Sequence, residues 1–147
     1  ADMEKLILDA VDKYKKNVFT EPSHPFLEAQ PKKIRLSIWG VIMRAAGHQI
    51  PHIHPAAWLS GVYYVEVPEV FSQNTIDGAG WIAFGSSPEH FHNQVNIEPK
   101  LIEPKPGLML MFPSYFYHHT IPFQTDESRI SVAFDFVKSC EVFRWIL

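Results

Sequence analysis

A mainly β architecture, a jelly roll with one amphipathic helix on its outer face, is what the sequence predicts. Three observations point to it. Seven or eight short runs are rich in β-branched and aromatic residues, and each is bounded by Gly, Pro or Asp turns. A single helix-like segment lies at the N-terminus. No strand–helix–strand rhythm, internal repeat or low-complexity tract follows it.

Residues 3–19 form that helix. Leu6, Ile7, Ala10, Val11, Tyr14 and Val18 recur on one stripe at helical spacing, while Glu4, Lys5, Asp9, Asp12, Lys13, Lys15 and Lys16 cover the rest. Asp2 is the expected N-cap. Residues 20–33 are expected to be a loop, because Pro22, Pro25 and Pro31 break regular helix, and His24 within it is expected at the surface. Residues 34–45 read as a strand. Gly47 and Pro51 flank a turn into His52, with His48 a turn residue, and residues 58–67 are the next strand, ended by Pro68. Gly61 inside that strand signals a bulge or a close backbone approach. Residues 69–79 are a polar loop with the turn pair Asp77-Gly78, and residues 80–85 are a short strand. Residues 86–94 are loop, and 95–102 are an edge strand interrupted by Pro99. After the turn 104–107, Leu108 to Phe112 is a continuous apolar strand. Residues 113–123 turn back, Arg129 to Val137 is a strand, and Glu141 to Leu147 can form a last one.

The chain of 147 residues fits one domain spanning 1–147, and 46% hydrophobic residues are enough for a core. Thirteen basic residues against sixteen acidic ones, with no basic stripe, argue against nucleic acid or an anionic membrane as partner. No apolar run approaches the roughly 18 residues of a membrane helix. The lone Cys140 excludes an internal disulfide and fits a reducing compartment, so the expected location is cytoplasmic. The chain opens Ala1-Asp2-Met3, which fits a trimmed chain or the C-terminal part of a longer protein.

The chemistry concentrates in three places. His52-Ile53-His54-Pro55 precedes a strand, and in extended backbone residues two apart project from one face, so both imidazoles can reach one point. Imidazole is the commonest protein ligand for first-row metals. A third ligand is expected from His118, 64 residues beyond His54, with His119 pointing away from it. Arg129 and Ser131 then share one face of their strand with Ala133 and Asp135, while Ile130, Val132, Phe134 and Phe136 form the packing face. A buried guanidinium needs an anion and binds a carboxylate through two parallel hydrogen bonds. The bland reading of Arg129 is a salt bridge with Asp126, Glu127 or Asp135. Trp39, Trp58, Tyr63, Tyr64 and Trp81 are candidates for the pocket lining, although strand aromatics are more often core. A second His-x-His, His90 and His92 beside Glu89, lies in a Pro/Ser/Asn loop and reads as surface.

Over residues 34–137 the runs HxHP…LSGVYYV, FPSYxYH and RISVAFD resemble the Fe(II)/2-oxoglutarate-dependent dioxygenase superfamily, and within it a group of small oxygenases carrying these signatures. The resemblance implies a double-stranded β-helix, which agrees with the strand reading. It implies Fe(II) and 2-oxoglutarate as cofactor and co-substrate, and His52, His54 and His118 as metal ligands. Arg129 and Ser131 would bind the distal carboxylate of 2-oxoglutarate; the separation from His118 to Arg129 is eleven here, against about ten in the superfamily. Tyr64 is a further candidate contact, and no catalytic residue beyond the metal ligands is implied. The implied activity couples oxidative decarboxylation of 2-oxoglutarate to oxidation of a substrate C–H bond. Its partners would be O2 and a small molecule or peptide side chain. The pattern departs from the superfamily's His-x-Asp/Glu…His at His54. Either the site has three histidines, the preferred reading, or a carboxylate such as Glu66 or Asp135 completes it. Two other functions compete. A cupin-type three-histidine metalloprotein would not use 2-oxoglutarate, but the glutamate expected soon after its His pair is absent. A metal-free jelly roll would be a non-catalytic binding module.

Overall fold

The structure, a computed structural model, describes residues 2–18, 23–44, 47–73, 77–86 and 98–138. The strand expected over 141–147, Cys140, and the group Glu89, His90 and His92 lie outside the described residues, as does most of the interval 86–97.

Eight strands form two antiparallel four-stranded sheets among the described residues. The major sheet has the order β1 (Ile34–Met43), β8 (Arg129–Lys138), β3 (Ala57–Glu66), β6 (Met109–Pro113). The minor sheet has the order β2 (Gln49–His52), β7 (His118–Thr120), β4 (Ile82–Phe84), β5 (Lys100–Ile102). Most connections therefore cross from one sheet to the other, which is the winding of a double-stranded β-helix. The predicted jelly roll is the observed fold.

Strand β8 is central. It pairs with β1 from Ile34↔Lys138 to Met43↔Arg129, and with β3 through Ser60↔Asp135, Val62↔Ala133 and Tyr64↔Ser131. Its alternation divides as the sequence predicts. Arg129, Ser131, Ala133 and Asp135 face the space between the sheets, and Phe134 and Phe136 face outward into a core with Leu59, Trp58 and helix α1 (Met3–Val18). On that outer face Ile130 and Val132 are only partly buried.

Helix α1 lays Ile7 and Val11 on the sheet, with Met3 and Tyr14 packed beside them. Leu6, expected on the buried stripe, is 40% exposed. The contact follows the narrow i, i+4 line of Met3, Ile7 and Val11, and Leu6 falls on its flank.

Four short elements escape the sequence reading. Within the expected loop 20–33, Pro25–Glu28 is one helical turn, α2. Pro25 occupies its first turn, where proline's missing N–H costs nothing, and His24 Nδ1 caps it by accepting from the Phe26 N–H at 3.2 Å. The turn serves the core: the Trp58 indole donates to the Phe26 carbonyl at 2.9 Å and stacks on the Phe26 ring at 4.8 Å. Within the loop 69–79, Val70–Gln73 is a second such turn, α3. β2 contains Pro51, which is tolerated because β2 is a sheet edge. β7 is only three residues long.

Gly61 marks a close approach. A Cβ there would lie 2.2 Å from the Phe134 ring and 2.7 Å from the Leu110 carbonyl oxygen. At Gly40 of β1 an added Cβ meets nothing within 4 Å. Gly61→Ala should therefore destabilise the protein by about 1–3 kcal/mol through overpacking. Gly40→Ala should be neutral or stabilise by up to about 1 kcal/mol, since alanine fits a strand better than glycine. Urea unfolding of both variants checks this, and equal effects would contradict the packing at Gly61.

Candidate metal centre and anion pocket

His52 is the last residue of β2 and lies opposite His118, the first residue of β7. His54 follows beyond the strand end. Its N–H donates to the Ser114 carbonyl at 2.9 Å and its carbonyl accepts from the Ala57 N–H at 3.0 Å, so a turn on the β6–β7 connection fixes it. The three histidines offer one ligand atom each within 4.8 Å of one another. Ring centroids are 4.3 Å apart for His52 and His118, 5.2 Å for His54 and His118, and 5.3 Å for His52 and His54.

Each ring has its Nδ1 occupied. His52 Nδ1 donates to the Ile50 carbonyl at 2.8 Å, and His118 Nδ1 donates to the Phe116 carbonyl at 3.0 Å. His54 Nδ1 donates to Asp135, at 2.8 Å from Oδ1 and 2.9 Å from Oδ2. An acceptor at Nδ1 places the proton there and leaves the Nε2 lone pair free, which is how metal-binding imidazoles are held. His118 is buried between the sheets. Burial lowers its pKa from 6.5 to about 4; the Phe116 carbonyl and Asp135 oppose the shift, and His52 and His54 add to it. His118 is therefore neutral near pH 7, as a metal ligand must be.

The same cleft, about 270 Å³, is lined by His52, His54, His118, Arg129 and Ser131, with Trp39 also on its wall. Arg129 is 3% exposed. Its Nη1 donates to Thr120 Oγ1 at 3.0 Å and lies 3.8 Å from Met43 Sδ, while its Nε has no partner. Among the described residues no carboxylate pairs with it. Burial lowers its pKa, and the adjacent Tyr64 opposes that shift. The Tyr64 ring lies 5.1 Å from the guanidinium carbon. Tyr64 is fully buried, and its hydroxyl has no partner. Burial raises that hydroxyl's pKa, against the lowering effect of Arg129.

Five of the six residues expected at the site, His52, His54, His118, Arg129 and Ser131, thus line one cleft. Tyr64 lies behind Arg129 and is not part of the cleft wall. The ordinary salt bridge for Arg129 does not form: Asp135 lies six residues along the same strand, roughly 20 Å away, where it meets His54 and Ser60 Oγ, and Asp126 and Glu127 are exposed. Glu66 is exposed too. Of the aromatic candidates only Trp39 lines the cleft; Trp58 belongs to the core, and the Trp81 indole donates to the Phe71 carbonyl at 3.2 Å. His119, expected to point away, also borders the cleft, and its buried Nδ1 has no partner. It lies close enough to His52 for that ring to add to the burial that lowers its pKa. Three contributors went unpredicted: Thr120 and Met43, which hold Arg129, and Asp135 as the partner of His54. The pleat was the available signal for Asp135, which shares a strand face with Arg129.

Residues 37–135, more than half of the chain, match the family model described as "Putative 2OG-Fe(II) oxygenase", and the chain belongs to that family. Among solved structures it resembles the crystal structure of a Pseudomonas putida prolyl-4-hydroxylase, with a TM-score of 0.57 at 16% identity over 95% of this chain and 68% of that one. At that identity the likeness concerns the fold. No curated protein matches the sequence. No helix among the described residues is long and apolar enough to cross a membrane.

The burial of neutral His118 has a consequence for the metal-free protein. The unfolded chain takes up a proton at this residue near pH 6.5, and the folded chain only near 4. The stability linked to His118 is therefore fully present above pH 6.5 and is lost as the pH falls through that window. Urea unfolding at pH 7 and pH 5 should show a loss of stability that is smaller in His118→Gln. An equal loss in that variant would contradict the burial of a neutral imidazole.

Proposed function

We propose that this protein is an Fe(II)- and 2-oxoglutarate-dependent oxygenase that hydroxylates a small molecule or a peptide side chain. The observation that carries this reading is a buried guanidinium, without a carboxylate among the described residues, in the cleft that also holds the three-histidine cluster. A dicarboxylate chelating a metal there would supply the missing anion.

The residues fit such a ligand set. His52, His54 and His118 would hold the metal through Nε2. Three protein ligands on one side leave positions open for a co-substrate and O2, the pattern of non-haem Fe(II) oxygenases. Arg129 would take the distal carboxylate of 2-oxoglutarate through its fork of donors. Ser131, two residues on along the same strand face, also lines the cleft, and Tyr64, behind the guanidinium, would support Arg129 rather than touch the diacid. Ala133, a small side chain on the same strand face, leaves room between these two regions for a slender diacid. Trp39 and the edge of β2 would meet the substrate at the mouth. Iron(II), when bound, supplies the O2 chemistry that turns 2-oxoglutarate, O2 and R–H into succinate, CO2 and R–OH.

Two features of the chain serve this role physically. Val41, Val62 and Ile82 line the same cleft with apolar surface, so a carboxylate–guanidinium pair there would form in a medium of lower dielectric constant than water. The carbonyl and carboxylate acceptors at Nδ1 hold the imidazole rings in place before metal arrives.

The test is an anaerobic titration with Fe(II) and then 2-oxoglutarate, followed by visible absorbance. A metal-to-ligand charge-transfer band should appear on addition of 2-oxoglutarate. Arg129→Ala should lose one charge-assisted, bidentate contact, so that about 10-fold or more 2-oxoglutarate is needed for the same band. Stoichiometric metal binding without any band would overturn the 2-oxoglutarate reading and leave a cupin-type metalloprotein. No metal binding would leave a binding module.

A further inference from the structure

The superfamily pattern that the sequence resembles has a carboxylate where this chain has His54, so a centre built from its three histidines would lack one negative charge. The structure shows a carboxylate one hydrogen bond away. Asp135 receives the His54 Nδ1–H on both of its oxygens, at 2.8 and 2.9 Å, and Ser60 Oγ donates to its Oδ1 at 2.6 Å. Asp135 and His54 are both mostly buried, with side chains 15% and 18% exposed. The other two histidines donate instead to neutral main-chain carbonyls two residues back in the chain. His54 alone is held by a charged group, and that group comes from β8, the strand that also carries Arg129.

We infer that Asp135 is a positioning residue for the metal centre: it fixes His54 with Nε2 toward the ion and returns the negative charge that the all-histidine ligand set lacks. The inference rests on the three-histidine reading of the metal site and is independent of 2-oxoglutarate. Both Asp135 oxygens engage the His54 Nδ1 side of the ring, so Asp135 is a support for a ligand rather than a ligand. A carboxylate accepting from a ligating imidazole increases the basicity of the ring and locks its tautomer and orientation. Ser60, directly opposite Asp135 in the β3–β8 pair, holds the carboxylate in turn.

The test uses zinc(II), a diamagnetic probe that needs neither turnover nor 2-oxoglutarate. Zinc affinity of the whole chain is measured by competition with a chelating dye for the unaltered protein, Asp135→Asn, His54→Ala and the double variant. Asn keeps an acceptor oxygen and the side-chain shape but removes the charge. Asp135→Asn should weaken zinc binding by about 10–100-fold. The same change in the His54→Ala background should have an effect several-fold smaller, because Asp135 acts through His54. A separate spectroscopic signature comes from the unaltered protein. In long-range proton–nitrogen spectra of the zinc form, His54 should be metallated at Nε2, with its Nδ1 proton the most deshielded of the three. Unchanged or tighter zinc binding in Asp135→Asn would overturn the inference, as would metallation of His54 at Nδ1. Either result leaves the metal centre itself standing. Failure of the unaltered protein to bind zinc would overturn the centre as well.

Discussion

A guanidinium buried between two sheets, with no carboxylate beside it among the described residues, is the constraint around which the described structure is arranged. Leaving a charge uncompensated in a protein interior costs several kcal/mol. Arg129 meets that cost with one hydroxyl, a thioether and the face of an aromatic ring. Its Nε and the Tyr64 hydroxyl remain without partners. Polar groups orphaned in this way are uncommon in folded proteins and concentrate where a ligand completes them. The rest of the sandwich supports the arrangement: β1 and β3 flank Arg129 on either side, and β7 supplies Thr120 across the gap.

Strand β8 links the two halves of the site. Its inward face runs Arg129, Ser131, Ala133, Asp135, so the buried guanidinium and the carboxylate that holds His54 lie on one element. The outward face of the same strand packs Phe134 and Phe136 under α1, and the absence of a side chain at Gly61 makes room for the Phe134 ring. Slipping this strand by one residue would exchange the two faces, burying phenylalanine in the cleft and placing Arg129 outside. Register, core and site are therefore specified together. The outer core contributes to function by holding the inner face in place.

Much of this was legible in the sequence. The period-two alternation of Arg129 to Phe136 gives the two faces directly, and the pairing of His52 and His54 with a later His118 gives the three-histidine cluster. What stayed hidden has physical reasons. β2 and β7 are four and three residues long, too short for any periodicity, and β2 carries a proline that only an edge position allows. α2 begins at a proline that reads as a helix breaker unless its first-turn position is known. His54 lies beyond the end of β2, and its N–H bonds to the Ser114 carbonyl, a partner that local spacing does not reveal. The bond from His54 to Asp135 spans 81 residues and depends on the exact pairing of β3 with β8, which no local pattern encodes.

The arrangement proposed for this site is a metal held by His52, His54 and His118 and a dicarboxylate running from it to Arg129. Crystals grown anaerobically with Fe(II) and 2-oxoglutarate, measured at the iron absorption edge, test it most directly. The account predicts one anomalous peak bounded by the three Nε2 atoms, and continuous density for the diacid ending on the Arg129 guanidinium. An iron peak elsewhere, or a diacid that does not reach Arg129, would contradict it.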